Sequence, residues 1–406
     1  MRWALLVMLA AAAGAAAEPP PPTTAPASGL PARAGGVRVY REAFDEKPGR
    51  EWSVRKVETS PAGGRTFLGQ LHNETAVLKL DGLPPHRFLR VSFDLLLIRT
   101  WDGNHAKDGP DVWQLRVADG PALLRTTFSN VGFYAGHRQS FPDWAGEGDH
   151  PPRTGSAARD VLGYEYEGPV EIGTRVVDSV YRFELVFPHT GDEVSLEFSA
   201  AGLEAKGAET WGLDRVRVEA LPDGKPLDAE AMERLWEALA AEDGMQAFDA
   251  TWRLISAGEP AVTFVRTKLG GYAADPAAVA RFIAQLDNAD WRKREAASEA
   301  LSRMGRGAEA ALKKALSETE SLEVRVRIEE LLREVASAEM EPQDRLRLVR
   351  AAHVLRVVNS PAAERTLGRL VIPPRAKKKP QEKPDAARRG QVPPEMGIIR
   401  VRGVGP

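Results

Sequence analysis

The sequence predicts a multidomain β and α protein: a jelly-roll β-sandwich over residues 37–221, followed by an α-helical solenoid over residues 222–372. Three observations predict it. Between Val37 and Leu221, short runs alternate apolar and polar residues and are separated by Gly, Pro and Asp. After Pro222 the chain becomes rich in Ala, Leu, Glu and Arg, with apolar residues at helical spacing. Within that second half one pattern is written three times, from Asp243, Asp290 and Asp344.

Taken in order, residues 1–17 read as a secretory signal peptide. Arg2 supplies a positive start, Trp3 to Ala13 an apolar run, and Ala15-Ala16-Ala17 a small-residue cleavage site. The alternative is an uncleaved anchor, although the apolar run is short for a stable spanning helix. Residues 18–36 are rich in Pro, Ala and Thr and read as a linker. The 406 residues contain no Cys, which excludes disulfides and a lipoprotein thiol. A secreted chain without disulfides must be held by its core, and 43% hydrophobic content permits a large one. The expected location is secreted, periplasmic or in a bacterial cell envelope, with no transmembrane segment after signal cleavage.

In the β half, Val91, Phe93, Leu95 and Leu97 share one face of a predicted strand. Tyr181, Phe183, Leu185 and Phe187 alternate in the same way, as do Val194, Leu196 and Phe198. Shorter runs cover Thr75 to Leu80, Val112 to Val117 and Val216 to Val218. Many strands without intervening helices mean a sandwich or barrel, and roughly 185 residues suits a jelly roll.

In the helical half, each repeat places Ala seven residues after its Asp (Ala250, Ala297, Ala351) and Leu eleven after (Leu254, Leu301, Leu355). Gly258, Gly305 and Asn359 follow where a helix needs a left-handed closing residue. Leu269, Leu316 and Leu370 complete the hairpins, which are spaced 47 and then 54 residues apart. Trp236, Trp252 and Trp291 are expected in the core. Arg345, Arg347 and Arg350 are expected on a solvated face. Residues 373–406 are Pro-rich and basic, with nine Lys or Arg against three acids from Arg375 to Arg402, and read as a disordered tail.

Two resemblances follow from particular residues. Asp290-Trp291-Arg292-Lys293-Arg294-Glu295-Ala296-Ala297, with Leu322-Glu323-Val324-Arg325-Val326-Arg327 after it, resembles the HEAT-like arrays of large bacterial envelope proteins. In the β half, Trp101-Asp102-Gly103-Asn104, Gly109-Pro110-Asp111-Val112-Trp113, Thr127-Phe128-Ser129-Asn130, Asp178-Ser179-Val180-Tyr181 and Trp211-Gly212-Leu213-Asp214 resemble concanavalin A-like jelly rolls. The first resemblance implies a protein partner bound by the helical repeats. The second implies a lectin or a glycosidase.

Residue chemistry narrows these expectations. The alternating acids of retaining glycosidases on this fold, Glu-x-Asp-x-x-Glu or Glu-x-Asp-x-Glu, are missing, so no catalytic residue is assigned. A hydrolase using Glu165 or Asp143 stands as the alternative, and a purely structural envelope component as a second one. Asp102, Asn104, Asp108 and Asp111 crowd one Gly-rich loop and form a candidate calcium site, although Asp, Asn and Gly also gather in ordinary turns. Asp214 is a further candidate oxygen ligand, or an exposed strand residue. Trp101, Tyr134, Trp144 and Tyr164 are candidate glycan-stacking rings beside carboxylates, or rings that pin the long segment from Asn130 to Gly168. Zinc finds little support, because seven scattered His and no Cys form no zinc spacing. A net charge of −2 opposes nucleic-acid binding, and no phosphate loop, dinucleotide fingerprint or nucleophile elbow occurs. A non-catalytic binding or scaffold protein is the expected function.

Overall fold

The computed structural model describes residues 36–375 apart from 206, 338 and 339. The signal-peptide expectation and all but the start of the basic tail lie outside the described residues. The described residues through Ile372 pack as one compact unit.

The N-terminal half is β and the C-terminal half is helical. In order, the strands are β1 (Val37–Glu42), β2 (Val57–Thr59), β3 (Thr66–Leu71), β4 (Thr75–Asp81), β5 (Phe88–Arg99), β6 (Val112–Val117) and β7 (Ala122–Thr127). They continue as β8 (Ala158–Arg159), β9 (Glu165–Glu167), β10 (Thr174–Val176), β11 (Asp178–Pro188), β12 (Glu193–Ala201) and β13 (Glu209–Leu221). One antiparallel sheet runs β2-β3-β13-β5-β11-β8, with β1 also paired to β13. A second runs β4-β12-β6-β7, and β9 pairs with β10 as a ribbon. The alternation read in the sequence decides which side chains meet between the sheets. Phe93 of β5 lies 5.4 Å from Phe198 of β12 and 5.8 Å from Trp113 of β6, ring centre to ring centre. Each large side chain buried there contributes about 1.5–3 kcal/mol. Leu96 and Ile98, on the opposite face of β5, are buried too, against Phe67, Tyr164 and Val180.

The helices are α1 (Ala229–Ala238), α2 (Gly244–Ala257), α3 (Glu259–Lys268), α4 (Pro276–Gln285) and α5 (Trp291–Met304). After a 3-10 turn at Gly305–Ala308 come α6 (Glu309–Glu318), α7 (Leu322–Ser337), α8 (Pro342–Val358) and α9 (Pro361–Leu367). The repeat pattern has a local cause in two of its three copies. Asp243 accepts the N–H of Met245 and Asp290 that of Arg292, each at 2.9 Å, and so each caps a helix. In the third copy Pro342 starts α8 earlier, and Asp344 lies inside the first turn. Gly258, Gly305 and Asn359 close α2, α5 and α8 at positive φ; the repeated Ala and the Leu at 254, 301 and 355 are buried, as is Leu269, whereas Leu316 and Leu370 are only partly buried.

The packing order departs from the order in sequence. Pairs α2–α3 and α8–α9 lie against each other, while α4 to α7 form a separate core around Leu286, Leu301, Leu312 and Ile328. Both α2 and α8 also rest on β11. At that seam Phe248 of α2 lies 5.5 Å from Phe141. Two expectations are corrected here. Trp291 is 61% exposed, because it is the first residue of α5 and precedes the turn that packs. Arg350 is buried, its guanidinium bonded to Asp143 at 2.7 and 3.0 Å and to the carbonyl oxygens of Leu239 and Ala241. Trp236 and Trp252 are buried as expected.

Candidate metal centre

The loop from Thr100 to Asp111, between β5 and β6, is folded around one carboxylate. Asp111 Oδ2 accepts the backbone N–H of Asp102 and, at 3.1 Å, that of Gly103. Gly103 sits at φ +68°, and a Cβ there would stand 2.2 Å from the carbonyl oxygen of Arg138, so only glycine lets the two segments touch. A second turn arrives from the far end of the domain. Gly202, at φ +91°, presses against the carbonyl of Pro110, and the turn it opens carries Glu204 and leads into Glu209. Glu209 heads β13 and pairs with Arg99, the residue at the end of β5, which brings its carboxylate to the Asp loop. Its Oε2 accepts the N–H of Glu204 at 2.7 Å.

Asp102, Glu204 and Glu209 thereby place carboxylate oxygens within 4.8 Å of one another. Asp111 and Glu209 are 0% exposed, and Asp111 Oδ1 and Glu209 Oε1 have no hydrogen-bond partner. Among the described residues, no Lys or Arg forms an ion pair with Asp102, Asp111 or Glu209. The electrostatics follow from that crowding. Burial raises Asp102, and the charges of Glu204 and Asp108 raise it further. Burial raises Asp111 against the pull of the Asp102 N–H, with the charges of Asp102 and Glu204 adding to the rise. Glu209 is raised by burial first and then by the charge of Asp111. Such a group of acids binds either protons or a cation.

A nitrogen-bearing group adjoins it. His105, Asp108 and His137 also bring ligand atoms within 4.8 Å of one another. His137 Nε2 lies 3.0 Å from Asp102 Oδ1, which joins the two groups.

Of the four predicted calcium ligands, Asp102 lies in the carboxylate group and Asp108 in the histidine group, while Asp111 adjoins the first by accepting the N–H of Asp102. Asn104 belongs to neither group. Its Oδ1 accepts the hydroxyls of Thr127 and Ser140 at 2.6 and 2.9 Å, and its Nδ2 donates to Gly148 O, so its amide ties the loop to the next segment. Asp214 is buried elsewhere, with Arg65 bridging it at 2.8 Å to Asp94. Sequence reasoning missed Glu204, Glu209, His105 and His137. The usable signal was two acids flanking a glycine-bounded turn ahead of a strand that must pair with β5.

The four candidate stacking rings lie apart in their surroundings. Trp101 is buried, with its indole N–H donating to Thr210 O at 2.9 Å, and Tyr164 is buried beside Phe67 and Val180. Tyr134 is half-buried and meets the hydroxyl of Tyr166 at 3.1 Å. Trp144 packs 4.9 Å from the His353 ring at the seam with α8. Of the acids named for hydrolysis, Glu165 is exposed on the β9–β10 ribbon, and Asp143 is buried between Arg350 and His150.

No family model matches the chain, and no curated protein matches it. Among solved structures, dimeric latent PorU from Porphyromonas gingivalis aligns at 11% identity and a TM-score of 0.23, over 47% of this chain and 13% of that one. At that level the alignment carries no argument about fold or function, and the chain spans only a small part of the matched protein.

Proposed function

We propose that this is a non-catalytic extracytoplasmic binding protein whose β half is organised by calcium at Asp102, Asp111, Glu204 and Glu209. The observation that carries the reading is the pair of buried, unpartnered oxygens, Asp111 Oδ1 and Glu209 Oε1. An unmatched buried carboxylate costs several kcal/mol of effective desolvation, and a hard divalent ion removes that cost while accepting oxygen donors of this type. The signal-like N-terminus fits the same reading, because extracellular modules bind calcium at about 10⁻⁴–10⁻³ M. Engagement of Asp143 by Arg350 and His150 supports a non-catalytic role, since a base tied at both oxygens has none free for a substrate.

The helical half supplies the surface for a protein partner. Between α5 and α7 a groove presents Glu299, Glu330 and Glu334 around Leu322 and Val326, beside Glu323 paired with Arg294 and Arg327, and Leu322 is 73% exposed. Its charge suits a basic segment of the partner that carries one or two apolar side chains.

Calorimetric titration of the chelator-treated full chain with calcium tests the cation reading. One equivalent should bind with a rise in Tm, and Asp111→Asn and Glu209→Gln should each abolish it. Absence of both heat and Tm shift, or binding indifferent to both substitutions, overturns the reading.

A further inference from the structure

His105 and His137 come from two segments far apart in sequence. Their rings stack with centres 4.1 Å apart and planes 15° from parallel. His105 Nδ1 lies 2.9 Å from Asp108 Oδ2, so the pair already shares a carboxylate. His137 is 8% exposed, and its Nδ1 is buried without a hydrogen bond. Asp102, whose Oδ1 meets the other ring nitrogen of His137, is placed as carboxylates are that orient a metal-bound imidazole. Two imidazoles stacked this closely cannot both carry charge cheaply.

Two nitrogens and one oxygen make a donor set unlike the neighbouring group of carboxylates. Calcium takes oxygen donors almost alone, whereas zinc accepts imidazole and carboxylate together. We propose that His105, Asp108 and His137 form a second cation site, for a zinc-class transition-metal ion, with Asp102 standing between it and the oxygen site. The centre then holds two ions of different chemistry. This extends the calcium reading, on which it rests for its neighbour but not for its own three ligands.

Cobalt(II) serves as the probe, because its visible absorption reports its ligands. The full chain, stripped with chelator and then saturated with calcium, should bind one equivalent of cobalt, displaced by one equivalent of zinc. His137→Gln and His105→Gln should each weaken cobalt binding by at least about a hundredfold, because even loss of an outer-shell partner costs 10–100-fold. The calcium stoichiometry of both variants should stay unchanged, which also shows that they fold. Glu209→Gln should lose calcium and keep cobalt. Cobalt competing with calcium for a single equivalent, binding that survives both His substitutions, or no cobalt binding at all overturns the proposal. Cobalt binding without calcium binding would leave this site standing and remove the calcium reading instead.

Discussion

Arg350→Ala should cost the protein about 3–5 kcal/mol, the range for stripping one partner from a buried ion pair. The structure sets that magnitude. Arg350 and Asp143 are 5% and 6% exposed, and two parallel bonds of 2.7 and 3.0 Å join them. Alanine would leave the Asp143 carboxylate with His150 alone, at 2.8 Å, and would remove the donor to the carbonyl oxygens of Leu239 and Ala241. An exposed pair would lose only about 0–1 kcal/mol. The effect should also carry a pH signature. Burial pushes the Asp143 carboxyl up, but the hydrogen bonds of His150 and Arg350, with their charges, outweigh it and hold the group below its ordinary value. A group depressed in the native state stabilises above its unfolded value, about 4, and loses that contribution as pH falls through the native one. The gap between wild type and variant should therefore be full at pH 7 and shrink below about pH 4. Urea unfolding of the full chain, followed by tryptophan fluorescence at pH 7 and pH 3.5, measures both. A loss under about 1 kcal/mol at pH 7, or a gap independent of pH, refutes the reasoning. The double variant Asp143→Leu, Arg350→Met should recover most of the loss, because replacing both partners leaves no charge stranded.

Three further outcomes are expected. In chelator, Tm should fall as pH rises from about 5 to 9, because groups raised in the native state stabilise below about 4 and lose that contribution as pH climbs through their native values. Glu209, pushed up to about 9, sets the upper edge of that window, and millimolar calcium should flatten or invert the slope. Superposable profiles with and without calcium would argue that the acids are satisfied by protons alone. Gly103→Ala, at φ +68° and 2.2 Å from Arg138 O, should cost at least about 1–3 kcal/mol and weaken calcium binding; an unchanged Tm would show that the two segments do not touch. Leu312→Ala should cost about 2–5 kcal/mol, with amide exchange accelerated in α4 to α7 and calcium affinity unaltered, since Leu312 belongs to the separate core there. Exchange that instead quickens throughout the β sheets would contradict that separation.

Local signals were legible and distant ones were not. The strands holding Phe93, Phe183 and Phe198 and the caps at Asp243 and Asp290 depend on neighbours within a few residues, so period and turn chemistry reveal them. Asp102 and Asp111 were legible for the same reason, since a loop crowded with Asp and Gly must turn. Asn104 looked equivalent to them, but its partners Thr127 and Ser140 lie on later segments, and that pairing decides which way it faces. Glu209 joins Asp102 only through the register of β13 on β5, and His137 joins His105 only through the path of the long loop. Arg350 carried the spacing of a solvated face because nothing near it in sequence announces Asp143. The return of α8 onto α2 is likewise invisible to a repeat count, which describes hairpins but not their order in space.

Asp143 and Arg350 stand 207 residues apart, and the exposed Pro222-Asp223 stretch lies between them. Phe141 and Phe248 meet across the same seam, so apolar and ionic anchors coincide there as they do at the centre of a protein–protein interface. A protease that clipped the chain at Pro222-Asp223 would cut a covalent link without touching what joins the two sides. The fragments should stay together and copurify, held by mutual recognition, and a β fragment produced alone should present an acid stripped of its arginine.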